Sequence, residues 1–89
     1  MATSKRSGEY RSAARSAPGV EAALVKLGKR VRALREAAGL TQEQAAHEAR
    51  ITTKHVVMIE KGQTNASVAS LLGLARAFGV KAGAFFEGV

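Results

Sequence analysis

Two short helical patterns stand back to back in residues 41 to 62, TQEQAAHEARITTKHVVMIEKG, with room between them for only a sharp turn. Thr41 is placed to cap the first helix. Gln44, three residues on, is placed to reach back to it, which satisfies two backbone donors that a helix start leaves without partners. Thr52 is placed to cap the second helix in the same way. Ile51 and Val56 stand one before and four after that cap, where apolar side chains meet and set the angle at which the chain joins the helix. Lys61 in the last turn and Gly62 beyond it close the segment. A second helix framed at both ends is a rod whose outward face is free for binding.

The rest of the chain limits what that rod serves. Eighty-nine residues make one small domain, and a domain of this size buries only roughly 60% of its unfolded surface, too little for an elaborate active-site cleft. Large rings are scarce, three Phe, one Tyr and no Trp, so Leu, Val, Ile and Ala must fill the core. Fourteen Lys and Arg against seven Glu give a formal charge of +7, a field that favours a polyanionic partner. Four basic residues against one Glu fall in the first 20 positions and ten against six in the remainder, so the folded part is basic without its tail. The absence of cysteine excludes disulfides and thiol-ligated metal and suits a reducing cytosol. No apolar run approaches the roughly 18 residues of a membrane span. The reading is a soluble cytoplasmic protein with no membrane partner.

Residues 1–19, MATSKRSGEYRSAARSAPG, lack apolar periodicity and read as a flexible, disordered basic arm, with a transient helix over Glu9 to Ala17 that Pro18 and Gly19 stop. Their Arg- and Ser-rich, acid-poor composition also resembles a transit peptide, but the arm is the favoured reading. Residues 20–89 form the domain. Leu24, Leu27, Val31 and Leu34 recur at spacings of three and four and mark the buried stripe of a first helix, with Lys26, Lys29, Arg30 and Arg32 off it. Gly39–Leu40 is a helix stop, and Gly79–Val80 repeats it. QTNA after Gly62 is a polar loop, and Ser67 caps a fourth helix with Val68, Leu71, Leu72, Ala75 and Phe78 buried. A last short helix in KAGAFFEGV brings the count to five, in an all-α fold.

Residues 27 to 86 resemble the lambda-repressor-like helix-turn-helix DNA-binding domain of the Cro and Xre family. The carriers are Arg35, Thr41–Gln42, Ala46, the run from Ile51 to Gly62 ending IEKG, Asn65 to Ser67, and LARAFGV from Leu74 to Val80. The resemblance implies a compact five-helix domain. The chain departs from the family in two places: Arg50 stands where Gly is usual at the turn, and Ala45 where Leu is usual. A left-handed Arg50 would cost about 1–2 kcal/mol relative to a residue without a Cβ.

In such domains the second helix of the motif lies in the major groove while the preceding one crosses the backbone. Thr53, Lys54, Val57 and Met58 share one face of that helix, and Val56 and Ile59 point inward. The resemblance makes Thr53, Lys54 and Met58 base-reading positions. Lys54 suits guanine O6 or N7 and Val57 a thymine methyl. The plain alternative has Val57 and Met58 covering a neighbouring helix. Gln42 is placed to hold a phosphate with the free donors of its helix start, its ordinary role being a helix former. Thr41, Thr52, Thr64 and Asn65 are further phosphate candidates, and His55 either reaches a phosphate or faces solvent. By resemblance Arg35 and Glu60 form a structural ion pair beneath the recognition helix, the alternative being two unrelated solvated charges.

One recognition helix reads few base pairs, so a homodimer on a (pseudo)palindromic operator is expected, its interface drawn from Phe85, Phe86 and Val89 with residues of the fourth helix, the alternative being that Phe85 completes the protomer core and Phe86 is simply exposed. His47–Glu48 begins a zinc-protease pattern, but Ile51 occupies the place of its second His. No catalytic residues, metal or cofactor are expected. The reading is a sequence-specific transcriptional regulator of double-stranded DNA and not an enzyme. The rival is an antitoxin that autoregulates its operon and masks a toxin, and a contact with RNA polymerase is a further partner.

Overall fold

The computed structural model describes residues 17–89. Most of the expected arm, 1–19, and of the expected helix over Glu9–Ala17 lies outside them. Helix α1 spans Val20–Ala37, α2 Gln42–Ala49, α3 Thr53–Glu60 and α4 Val68–Phe78, and a 3-10 helix follows at Ala82–Phe86. The fifth helix is thus a tight turn rather than an α-helix. Its Ala84 N–H donates to Lys81 O, three residues back, at 2.9 Å, the ladder that suits a five-residue piece with a glycine inside it.

The starts of α2, α3 and α4 are capped as their residues dictate. Thr41 Oγ1 accepts from Gln44 N–H at 3.0 Å while Gln44 Oε1 accepts from Thr41 N–H at 2.9 Å. Thr52 Oγ1 accepts from His55 N–H at 3.1 Å, and Ser67 Oγ from Ser70 N–H at 3.0 Å. Ile51 packs on the core that contains Val56.

All four α-helices end on one device. The N–H just past a left-handed residue returns to the carbonyl five positions back: Leu40 to Arg35, Ile51 to Ala46, Gln63 to Met58 and Val80 to Ala75, at 2.9–3.2 Å. These bonds satisfy carbonyls that a helix end leaves open. The left-handed residue is Gly39, Gly62 and Gly79 in three cases and Arg50, with φ 59°, in the fourth. Among the described residues Arg50 is the one non-glycine with positive φ.

Leu27, Val31, Ala45, Ala46, Val56, Ile59, Leu71, Leu74, Ala75, Phe78 and Phe85 make the core, and Leu24 and Leu34 pack on its margin. Phe85 stands edge-on to Phe78, ring centroids 6.0 Å apart. The inward face of α4 differs from the sequence expectation. Leu74 is fully buried, whereas Val68 and Leu72 are 73% and 54% exposed. At ~100° per residue, Leu71, Leu74, Ala75 and Phe78 share one stripe; Leu72 is rotated about 60° beyond its Ala75 edge, while Val68, nearly in line with Ala75, is exposed as the first residue of the helix. Ala45 is fully buried, and α2 approaches α4 closely at Gly73, where a Cβ would lie 3.0 Å from Ala49 O.

Two contacts set α3 against α1. The first is Gly28, where a Cβ would meet Glu60 O at 2.6 Å, so backbone rests on backbone. The second is ionic. Arg35 donates from Nε to Glu60 Oε2 at 2.6 Å, from NH2 to Glu60 Oε1 at 3.1 Å and from NH1 to Leu40 O at 2.8 Å. Gln42 Nε2 adds a donor to Glu60 Oε1 at 3.1 Å. The side chains of Arg35 and Glu60 are only 10% and 4% exposed. The hydrogen bond to Glu60 raises the Arg35 pKa above its ordinary value against the opposing pull of burial, so the guanidinium stays charged wherever the domain folds.

Two outcomes follow for stability. Replacing Arg50 by glycine relieves about 1–2 kcal/mol of left-handed strain and adds about 0.5–1 kcal/mol of unfolded-chain entropy. Arg50→Gly is therefore expected to raise the Tm by a few degrees, at about 4–8 °C per kcal/mol for a small domain. An unchanged or lower Tm in a thermal melt contradicts the strain argument. Glu60→Ala strands a buried guanidinium and is expected to cost about 3–5 kcal/mol in denaturant unfolding. A variant as stable as the parent would show the pair to be dispensable.

Candidate nucleic-acid interface

The burial of Val56 and Ile59 fixes which way α3 faces. At ~100° per residue, the opposite direction falls on Lys54 and Lys61, with Val57 and Met58 on either side. Thr53 and Glu60 turn to the edge that meets α1 and α2, and His55 to the edge that meets α4. Burial agrees with this wheel: Lys54 and Lys61 are exposed, while Thr53, His55, Val57 and Met58 are half-buried. Among the described residues neither lysine takes part in an ion pair. Seven residues apart, they stand about 10 Å from each other along the helix, two unpaired cations on one outward line.

Thr41 and Thr52 are exposed at the starts of α2 and α3. Each hydroxyl accepts its capping bond, which leaves its own proton free to donate to a phosphate oxygen. Gln42 is half-buried with one amide hydrogen committed to Glu60. Its side chain therefore braces the recognition helix and keeps one N–H for an outside partner. His55 turns toward α4: its Nε2 is 3.3 Å from Ser70 Oγ, which in turn accepts from Ser67 Oγ at 2.9 Å. Thr64 is half-buried and Asn65 exposed in the loop after α3.

Phe85 is fully buried in the protomer core and has no surface to offer a partner, so its place in an expected interface is corrected. Its ring packs edge-on against Phe78 of α4. Phe86 and Val89 are exposed, 52% and 45%.

Sequence reasoning passed over three residues of this site. Lys61 had been read only as a helix-end charge, although two full turns from Lys54 put it on the same line. Gly28 carried a signal, since a lone glycine inside a helical pattern marks close backbone approach. Arg30, placed by the sequence only off the buried stripe, ties α1 to the chain end, with Nε donating to Ala84 O at 2.8 Å and NH2 paired with Glu87 at 2.6 Å.

Among the described residues no three His, Asp or Glu side chains gather as a metal site would require, and no helix is long and apolar enough to cross a membrane. Residues 31–85 match a helix-turn-helix family. The restriction-modification controller protein C.AhdI from Aeromonas hydrophila is 40% identical over 73% of this chain and 98% of that one, with a TM-score of 0.71. The clp gene regulator ClgR from C. glutamicum shares the fold, with a TM-score of 0.67 at 22% identity over 72% of this chain and 83% of its own. No curated protein matches the chain. A family match over most of the folded residues, together with 40% identity along nearly the whole of a controller protein, puts the chain in the lambda-repressor-like (Cro/Xre) helix-turn-helix family of DNA-binding transcriptional regulators.

Proposed function

We propose that the protein binds a (pseudo)palindromic operator in double-stranded DNA as a homodimer, each protomer laying α3 in the major groove. The outward line of Lys54 and Lys61 carries this reading, because unpaired cations on a rigid, capped helix are what a duplex attracts. Lys54, in the first turn, meets base edges, and guanine O6 or N7 is its natural acceptor. Thr53, Val57 and Met58 flank it, Val57 meeting a thymine methyl. Lys61, near the other end, reaches backbone phosphate. Thr41, Thr52, Asn65, Thr64 and the remaining Gln42 N–H hold phosphates on either side and fix register without reading sequence. His55, engaged with Ser70, positions the helix start more than it contacts DNA.

Pairing of protomers draws on the apolar side chains that the fold leaves outside, Leu72 and Val68 on α4 with Phe86 and Val89 at the chain end. A two-fold axis places the two recognition helices about one turn of DNA apart, near 34 Å. Likeness to a restriction-modification controller favours a regulator that acts by where it sits on a promoter, excluding or assisting polymerase.

Selection of bound duplexes from a random pool tests this reading. An inverted repeat with half-sites about one helical turn apart is expected, and failure to enrich any sequence contradicts it. On the selected site, Lys54→Ala is expected to cost about 1–3 kcal/mol and to relax preference at one base position per half-site. A uniform loss across all sequences would reduce Lys54 to a phosphate contact.

A further inference from the structure

Away from the outward face of α3, the end of α2 and the middle of α4 enclose a depression of about 270 Å³, lined by His47, Glu48, Ala49, Arg50, Gly73 and Arg76. Gly73 makes the floor, where a side chain would press on Ala49: its Cβ would lie 3.0 Å from Ala49 O and 3.3 Å from Ala49 Cβ. Arg50 and Arg76 are exposed on its walls, and among the described residues neither is in an ion pair. Two unpaired guanidiniums, one from the turn after α2 and one from α4, line one concavity, and guanidinium suits carboxylate or phosphate oxygens.

A second observation comes from the backbone. Three of the four helix ends place glycine at the left-handed position, and the fourth holds Arg50 there at φ 59°, ψ 41°. Glycine would serve that turn without strain. Strained residues cluster at functional sites, and what Arg50 has that glycine lacks is a guanidinium at this depression.

We infer that the cleft between α2 and α4 binds a single small oxyanion group, carboxylate or phosphate, gripped by Arg50 and Arg76. Size and charge set the class. At about 270 Å³ the depression lies just below the about 300–1,000 Å³ of pockets for drug-sized ligands, which favours a small ligand. Glu48 on the rim disfavours a polyanion and leaves room for one oxyanion between the two cations. None of the cleft's lining residues is among those proposed to meet DNA. It does adjoin the motif's turn, two residues before the Thr52 cap of α3, so an occupant would brace α2 and α4 beside the recognition helix.

The test is an amide-shift titration of the full chain, without DNA, using inorganic phosphate and, separately, succinate, against chloride at matched ionic strength. Saturable shifts confined to Ala49, Arg50, Gly73 and Arg76 are expected, and whichever probe saturates names the group. Arg50→Gly, which should fold with a higher Tm, and Arg76→Gln should each weaken binding about tenfold or more, the effect of losing a charge-assisted hydrogen bond. Lys29→Gln, an equal loss of charge on α1, should leave it unchanged, and Glu48→Gln should tighten it. Shifts scattered over the surface, or affinity equal in Arg50→Gly, Arg76→Gln and Lys29→Gln, overturn the site. Loss of DNA affinity in the two arginine variants with no anion binding in the parent also overturns it, assigning the arginines to the DNA backbone.

Discussion

One carboxylate organises the domain. Glu60, the last residue of α3, accepts from Arg35 of α1 through both oxygens and from Gln42 at the start of α2. Three helices therefore meet at a group that is 4% exposed. Taking two charges out of water costs several kcal/mol per ion, and only close, well-directed hydrogen bonds offset it. Here the guanidinium is bidentate to Glu60 and gives its remaining arm to Leu40 O, where α1 ends. An apolar pair of the same shape would hold the helices as firmly. What the polar cluster adds is direction: it holds Glu60 toward α1 and α2, in line with the facing of α3 that the burial of Val56 and Ile59 sets. Gly28 makes the arrangement possible by letting α1 lie against the backbone of Ile59 and Glu60.

The short helices are held by their ends more than by their length. Eight residues are too few for a stable isolated helix, and both α2 and α3 have eight. A side-chain cap at each start and the same backward hydrogen bond at each finish satisfy backbone groups that a helix end leaves without partners. The turn between them is the one place where this scheme is strained. That turn lies beside the arginine-lined cleft, so stability is given up next to a feature that a glycine there would abolish.

Much of this was readable from residue order, and what escaped it did so for physical reasons. Caps and stops are local: Thr41 with Gln44, Thr52, Ser67, Gly39 and Gly79 act within a turn, and the structure has each in the expected role. The facing of α4 was misjudged because Leu71, Leu72 and Leu74 are all apolar, so their spacing accommodates more than one stripe and only packing decides. Phe85 and Phe86 are adjacent and identical in kind. Only tertiary structure separates the one that completes the core from the one left outside. The pairing of Arg35 with Glu60 came from resemblance, since 25 residues separate them. Gln42 as the third partner of Glu60 has no local signal.

The outward side of α3 is the surface proposed to meet a duplex. An amide-shift map of the protein on its selected operator tests it most directly. Shifts concentrated at Thr53, Lys54, Val57 and Lys61, with flanking changes at Thr41 and Asn65, are predicted. A map centred on the exposed side of α1 or α4, with α3 unmoved, would contradict it.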